Sequence, residues 1–288
     1  MSRSTGSHSV SYWMAPDRIG TPVQPHGVPS APSPTSYPSP QTELPYSGPK
    51  YAAFEEEVLA VLQSFDRATD WADFIDLLQR FMVVLRRYPQ FPAAVPSLVT
   101  VGKRLAQCCN PALPSGVHIK ALEVYQLLFS RISSIGLARN LHIFCSGLFP
   151  LFSQASTNVK SVLIDLYESE FLRLGEHLLP CLQGFLLALL PGLEDETSVF
   201  YGRTMRLLNK TERRTHRIAF YSSLWRCVLA SSHVRLPALH YLQARLPASV
   251  PVPPDKVVEF FPLTAGVLPA LTACLFDSNI LVQVATKY

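Results

Sequence analysis

Residues 71–88, WADFIDLLQRFMVVLRRY, decide the fold. Trp71, Phe74, Leu78, Phe81, Leu85 and Tyr88 recur at steps of three and four, the period of one helix face. Thr69 and Asp70 stand where a cap belongs, and Asp73 and Asp76 lie near the positive N-terminal end. This pattern predicts an amphipathic helix, with Trp71 heading its buried face as a core anchor.

The same period continues on both sides. Upstream, Phe54, Val58, Val61, Leu62 and Phe65 share one face. Downstream, a third helix is expected from about 94 to 109, with Leu98, Val101, Leu105 and Cys109 inward. Asn110-Pro111 and Pro114-Ser115-Gly116 stop it, and Ser115 is expected to cap the next helix. Further faces follow in Ala121, Tyr125, Leu128 and Ile132, then in Leu137, Leu141, Phe144 and Leu148. Ser156 can cap a helix carrying Val159, Leu163 and Leu166, and Leu178, Leu182, Phe185 and Leu189 line another. Three more are expected over 199–208, 220–229 and 234–246. No strand-like alternation bounded by turns interrupts them. Helices restart every ~20 residues, so a two-helix unit recurs every ~40, the HEAT/armadillo period. The fold class is therefore all-α, a HEAT/armadillo-like α-solenoid over residues 50–288. The last helix, in DSNILVQVATKY from Asp277, would leave an apolar face uncovered. That implies a piece of a longer protein or a partner over the end.

Residues 1–49 differ in kind. Proline recurs among Ser, Thr and Gly with no apolar run, which predicts a disordered Pro/Ser-rich tail and no signal-peptide core. A net charge of +4 without a Lys/Arg block argues against nucleic acid as a partner. The cysteines make no CxxC pairs, so free thiols are expected rather than disulfides or zinc. His142 with Cys145, and His177 with Cys181, could share helix faces, but neither pair has further metal ligands. LLPCLQGFLLALLPGL, 178–193, is short for a membrane span and reads as a buried helix. Nucleophile-elbow, P-loop and HExxH patterns are absent, so no catalytic residue, cofactor or metal is assigned and the chain reads as a non-enzyme.

One polar cluster stands out. Arg203, Arg206, Lys210, Arg213, Arg214 and Arg217 surround a single acid, Glu212. The cluster is either a solvated helix face or a contact for anionic lipid or an acidic partner.

Several segments go beyond periodicity: SFDRATDWADFIDLLQRF (64–81), KRLAQCCNPALPSGVHIKALEVYQLLF (103–129), GLFPLF (147–152), LLPCLQGFLLALLPGLED (178–195) and VLASSHVRLPALHYLQARLP (228–247). They resemble the N-terminal region of the Dopey family. The resemblance implies a cytoplasmic scaffold, peripheral on Golgi and endosomal membranes, that serves protein transport and Golgi organisation. It also implies a large Arf-exchange-factor-like partner and phosphoinositide contact, with no catalytic residues to carry over. A general HEAT-like protein-binding adaptor without a membrane role is the alternative. Oligomeric state is left open. Deleting residues 1–49 should move the thermal midpoint by no more than a few degrees. A large drop would mean that the leader packs on the helices.

Overall fold

The computed structural model describes residues 46–246, 254–263 and 266–287. The expectation of a disordered tail falls outside the described residues as far as Pro45. From Tyr46 onward the chain is helical, with no strand among the described residues. Pro49 opens α1 (Pro49–Ser64), where its missing N–H costs nothing. Phe54, Val58 and Leu62 form the buried face of α1.

Asp70 caps α2 (Trp71–Arg87) through a capping box. Its Oδ1 accepts from the Trp71 N–H at 2.8 Å, while Asp73 Oδ2 accepts from the N–H groups of Thr69 at 3.0 Å and Asp70 at 3.1 Å. Those backbone donors, Asp70 and then Thr69, hold the Asp73 carboxyl below its ordinary range. The rest of the chain forms α3 (Leu98–Cys108), α4 (Ser115–Arg139), α5 (Leu141–Gln154) and α6 (Thr157–Ser169). There follow α7 (Leu182–Leu189), α8 (Tyr201–Arg214), α9 (Arg217–Ala230) and α10 (Arg235–Arg245). Last come α11 (Pro254–Phe260), α12 (Val267–Leu275) and α13 (Ile280–Lys287).

From α2 to α7, each helix lies chiefly on the helix two along the chain. Helix α2 packs on α4 and α4 on α6, while α3 packs on α5, α5 on α7 and α7 on α9. Several contacts between neighbours in a layer share nearly one offset. Lys120 reaches Gln79 across 41 residues, and Arg203 reaches Ser161, Arg214 reaches Leu172 O and Gln243 reaches Ala285 O across 42 each. Aromatic rings continue the core from one unit to the next. Phe129 stands 5.1 Å from Phe144 and 6.1 Å from Phe171, which stacks on Phe185 at 5.6 Å.

That offset also explains where the sequence reading fails. Trp71 is 51% exposed and is not a core anchor. Ile75 lies beside Gly116 and Gln79 beside Lys120, so Trp71 stands opposite residue 112, before α4 begins. Nothing is there to cover the ring. Ser115 does not cap α4 either. Pro114 occupies the cap position, and no side chain bonds the free N–H groups. Asn110 orders that turn instead: its Oδ1 accepts from the Ala112 N–H at 2.9 Å, and its carbonyl lies 2.8 Å from His118 Nε2. Ser156 does precede α6, but its hydroxyl makes no cap bond.

Leu178, Leu182, Phe185 and Leu189 are buried, as expected of a core segment. They do not form one α-helix. A 3-10 stretch, Phe171–Cys181, breaks at Gly175 (φ 54) and holds Pro180, before α7 and a 3-10 turn at Leu190–Leu193. By length and composition the run Phe171–Leu193 would suffice for a membrane span, and it packs here against α5, α6 and α9. At the far end, Leu268, Phe276, Ile280, Leu281 and Val284 are exposed.

Gly147 lets the backbones of α3 and α5 approach closely. An added Cβ would stand 2.8 Å from Ala106 Cα and 2.8 Å from Tyr125 Oη. Gly147→Ala should therefore destabilise by about 1–3 kcal/mol, read as a lower urea midpoint with an unchanged slope. An unchanged midpoint would show that α5 can slide without loss.

Candidate partner-binding surface

The basic residues singled out in the sequence sit on α8 and at the start of α9, and the fold divides them. Arg203 turns inward to α6, where it binds Asp165 Oδ1 at 2.6 Å, Glu168 Oε2 at 3.2 Å and Ser161 Oγ at 3.3 Å. Lys210 stands 3.8 Å from the same Glu168. Arg214 donates to Leu172 O at 3.4 Å, which leaves its charge uncompensated. Arg217 bridges Glu212 at 3.2 Å and Glu259 at 2.8 Å. Arg206 and Arg213 are exposed and form no ion pair with any described residue. Proximity in sequence therefore does not make one patch here, because successive helical residues point to different neighbours.

Glu212, the lone acid of that window, is the residue the sequence reading passed over. It is 1% exposed. Its Oε1 accepts from Tyr221 at 3.0 Å and Arg217 Nε at 3.2 Å, and its Oε2 lies 3.2 Å from Tyr241 Oη and 2.9 Å from Arg245. Two guanidinium groups and two hydroxyls satisfy a carboxylate that burial alone would penalise heavily. Burial, with Glu212 next in weight, pushes the Tyr221 hydroxyl up to about 12, and the same causes raise Tyr241. The signal in the sequence was Glu212's place among Thr204, Leu207, Leu208 and Thr211, on the buried face of α8.

Reactive chemistry has little foothold among the described residues. Cys108, Cys109, Cys145, Cys227 and Cys274 are buried and Cys181 is half-buried, all as free thiols. Burial first pushes Cys108 and Cys109 up to about 12, which makes them poor nucleophiles at neutral pH. Cys145 is raised by its contact with Cys181 and by burial, while His142 and His177 face outward. No group of three or more potential metal ligands exists among the described residues. The hollows are shallow and open. One apolar hollow is a groove of about 470 Å³ between α1 and α2, lined by Val61, Val83 and Val84 and rimmed by Glu57, Arg80 and Arg87.

The family model described as Dopey, N-terminal, matches residues 48–286. The chain belongs to the Dopey family. Among curated relatives, Protein DOP1B of Mus musculus is 39% identical over 236 residues, which is 81% of this chain and 10% of the relative. Protein pad-1 of Caenorhabditis elegans is 40% identical over 196 residues, 68% of this chain and 8% of the relative. Protein DOP1 of Saccharomyces cerevisiae is 34% identical over 210 residues, 71% and 12%. The chain spans about a tenth of the length of the curated relatives it matches. No solved structure matches it.

Within this Dopey-family segment, Glu212 makes a test of internal architecture separate from any partner. Glu212→Gln removes the charge that Arg217 and Arg245 share, and leaves both facing a neutral amide. It should cost about 1–3 kcal/mol, since Arg217 and Arg245 keep access to water and Arg217 keeps Glu259, seen as a drop in thermal midpoint. A loss below ~1 kcal/mol would mean that water readily replaces the carboxylate.

Proposed function

We propose that this chain acts as a non-enzymatic scaffold in protein transport between endosomes and the Golgi, as a peripheral component of those membranes on the cytoplasmic side. The observation that carries the reading is the Dopey N-terminal match over residues 48–286, nearly all of the helical region. The 41–42-residue offset between parallel helices supports a HEAT-like solenoid, an architecture that offers long surfaces to protein partners. A large Arf-exchange-factor-like protein is the partner proposed, with anionic phosphoinositide headgroups as a second contact. The whole-length relatives would share this role, the present chain supplying one tenth of their length.

Proximity labelling with the full chain in cells tests the proposal. Golgi and endosomal membrane proteins, together with a large Arf-exchange-factor-like protein, should be enriched over a cytosolic control. Labelling confined to soluble proteins would favour a general helical-repeat adaptor without a membrane role, and would end the trafficking reading.

A further inference from the structure

Helices α2, α4, α6, α8 and α10 run parallel, and the contacts at their C-terminal ends follow one another along one edge. Arg131 of α4 donates to the Leu85, Tyr88 and Phe91 carbonyls beyond α2. Phe129 of α4 then meets Phe171 beyond α6 at 6.1 Å. Arg214 of α8 reaches Leu172 O at 3.4 Å, and Arg245 of α10 meets Glu212 of α8 at 2.9 Å. Residues far apart in sequence are thereby set in one row.

The row is rich in arginine. Part of it serves the fold: Arg87 pairs with Glu57 at 2.6 Å, and Arg131 satisfies free carbonyls that would otherwise be orphaned at the helix end. Basic residues also suit the negative end of each helix dipole, which accounts for charge within the last turn. Other members do more than that requires. Arg86 and Arg213 are exposed and form no ion pair or hydrogen bond with a described residue. Arg173 is 67% exposed and only 3.8 Å from Glu170, and Arg214 keeps its full charge. Glu170 is the acid beside Arg173, and Glu123 and Glu170 line the hollow beside Arg86. Ile135 (63% exposed), just past the break in α4 at Ser133, and Leu179 (38% exposed) add apolar side chains to the same edge.

We propose that this edge, with Arg86, Arg173, Arg213 and Arg214 as its cationic row and Ile135 and Leu179 among them, is the surface that lies on an anionic membrane. It deepens the endomembrane reading and rests on it. It also moves the contact away from Arg203 and Arg217, which the fold has already engaged. Packed helix axes lie roughly 8–10 Å apart, so three steps from α2 to α8 spread the row over about 25–30 Å. Charges spaced along a line suit a continuous sheet of headgroups. A short acidic peptide would require a pocket there, and the hollow beside Arg86 contains Glu123 and Glu170.

The test is co-sedimentation of the full chain with phosphatidylcholine vesicles, with and without phosphatidylserine. Binding should require phosphatidylserine and should fade as salt shortens the Debye length from ~10 Å at 0.1 M to ~3 Å at 1 M. The triple variant Arg86→Glu, Arg213→Glu, Arg214→Glu should lose at least about a hundredfold in partitioning, at about fivefold for each of the three positive charges removed, with the added negative charges deepening the loss. Arg226→Glu, an exposed reversal on α9 in the other layer, should leave partitioning within about twofold, below one edge charge. If the triple variant fails to fold, Arg86→Gln with Arg213→Gln replaces it, since neither side chain supports a described contact; a loss of about tenfold or more is then expected. Equal binding by the parent and the folded edge variant would overturn the proposal. So would failure of the parent to bind at low salt, or binding to soluble polyglutamate but not to vesicles. None of these outcomes decides the labelling experiment, which reports on the trafficking role independently.

Discussion

Gly147 has no room for a side chain, and the array depends on that constraint. Its backbone lies against Ala106 of α3 while the Tyr125 ring of α4 closes the third side. Three consecutive helices are locked at one point by a missing methyl group. Close packing of this kind leaves little freedom to shift a neighbour, because interiors are as dense as organic crystals. The next contacts inherit the register: Tyr125 packs 5.6 Å from Phe129, Phe129 meets Phe171, and Phe171 stacks on Phe185. One close approach thus carries forward through several units as a line of rings.

Charge is organised by the same register. Several cations meet a group about one unit away along the chain: Arg203 meets Ser161 and Lys210 meets Glu168 on α6, before them, and Arg235 meets Asp277, after it. Glu212 is the extreme case, an acid sealed among groups from α8, α9 and α10. Such a site contributes less to net stability than its short distances suggest, since desolvation offsets most of the attraction. A different helix in that place would leave a bare buried charge.

Most helices were legible in the sequence because burial of one face imposes a three- and four-residue period that few other structures share. Phe74, Leu78, Phe81 and Leu85 are buried where the period puts them. Trp71 obeys the period yet lies outside the core, since periodicity reports a face and not how far a neighbour extends. Ser115 failed for a local reason: Pro114 already holds an extended backbone at the helix entrance, and the neighbouring Asn110 orders the turn. The breaks at Ser133 and Gly175, both with positive φ, leave almost no trace in an apolar pattern that continues across them. The basic window around α8 looked like one site because sequence distance was the only measure at hand. In space, Arg203 and Arg213 belong to different neighbourhoods.

The shared offset also bears on how the chain is made. The hydrogen bonds described above span at most 46 residues, from Arg131 back to Leu85. Chains whose contacts stay this local fold quickly, since only short loops must close before contacts form. During synthesis the N-terminal part emerges first, and each helix pair needs only about one further unit of nascent chain before its own contacts are complete. Folding can therefore follow the ribosome unit by unit, with one apolar face at a time awaiting its cover.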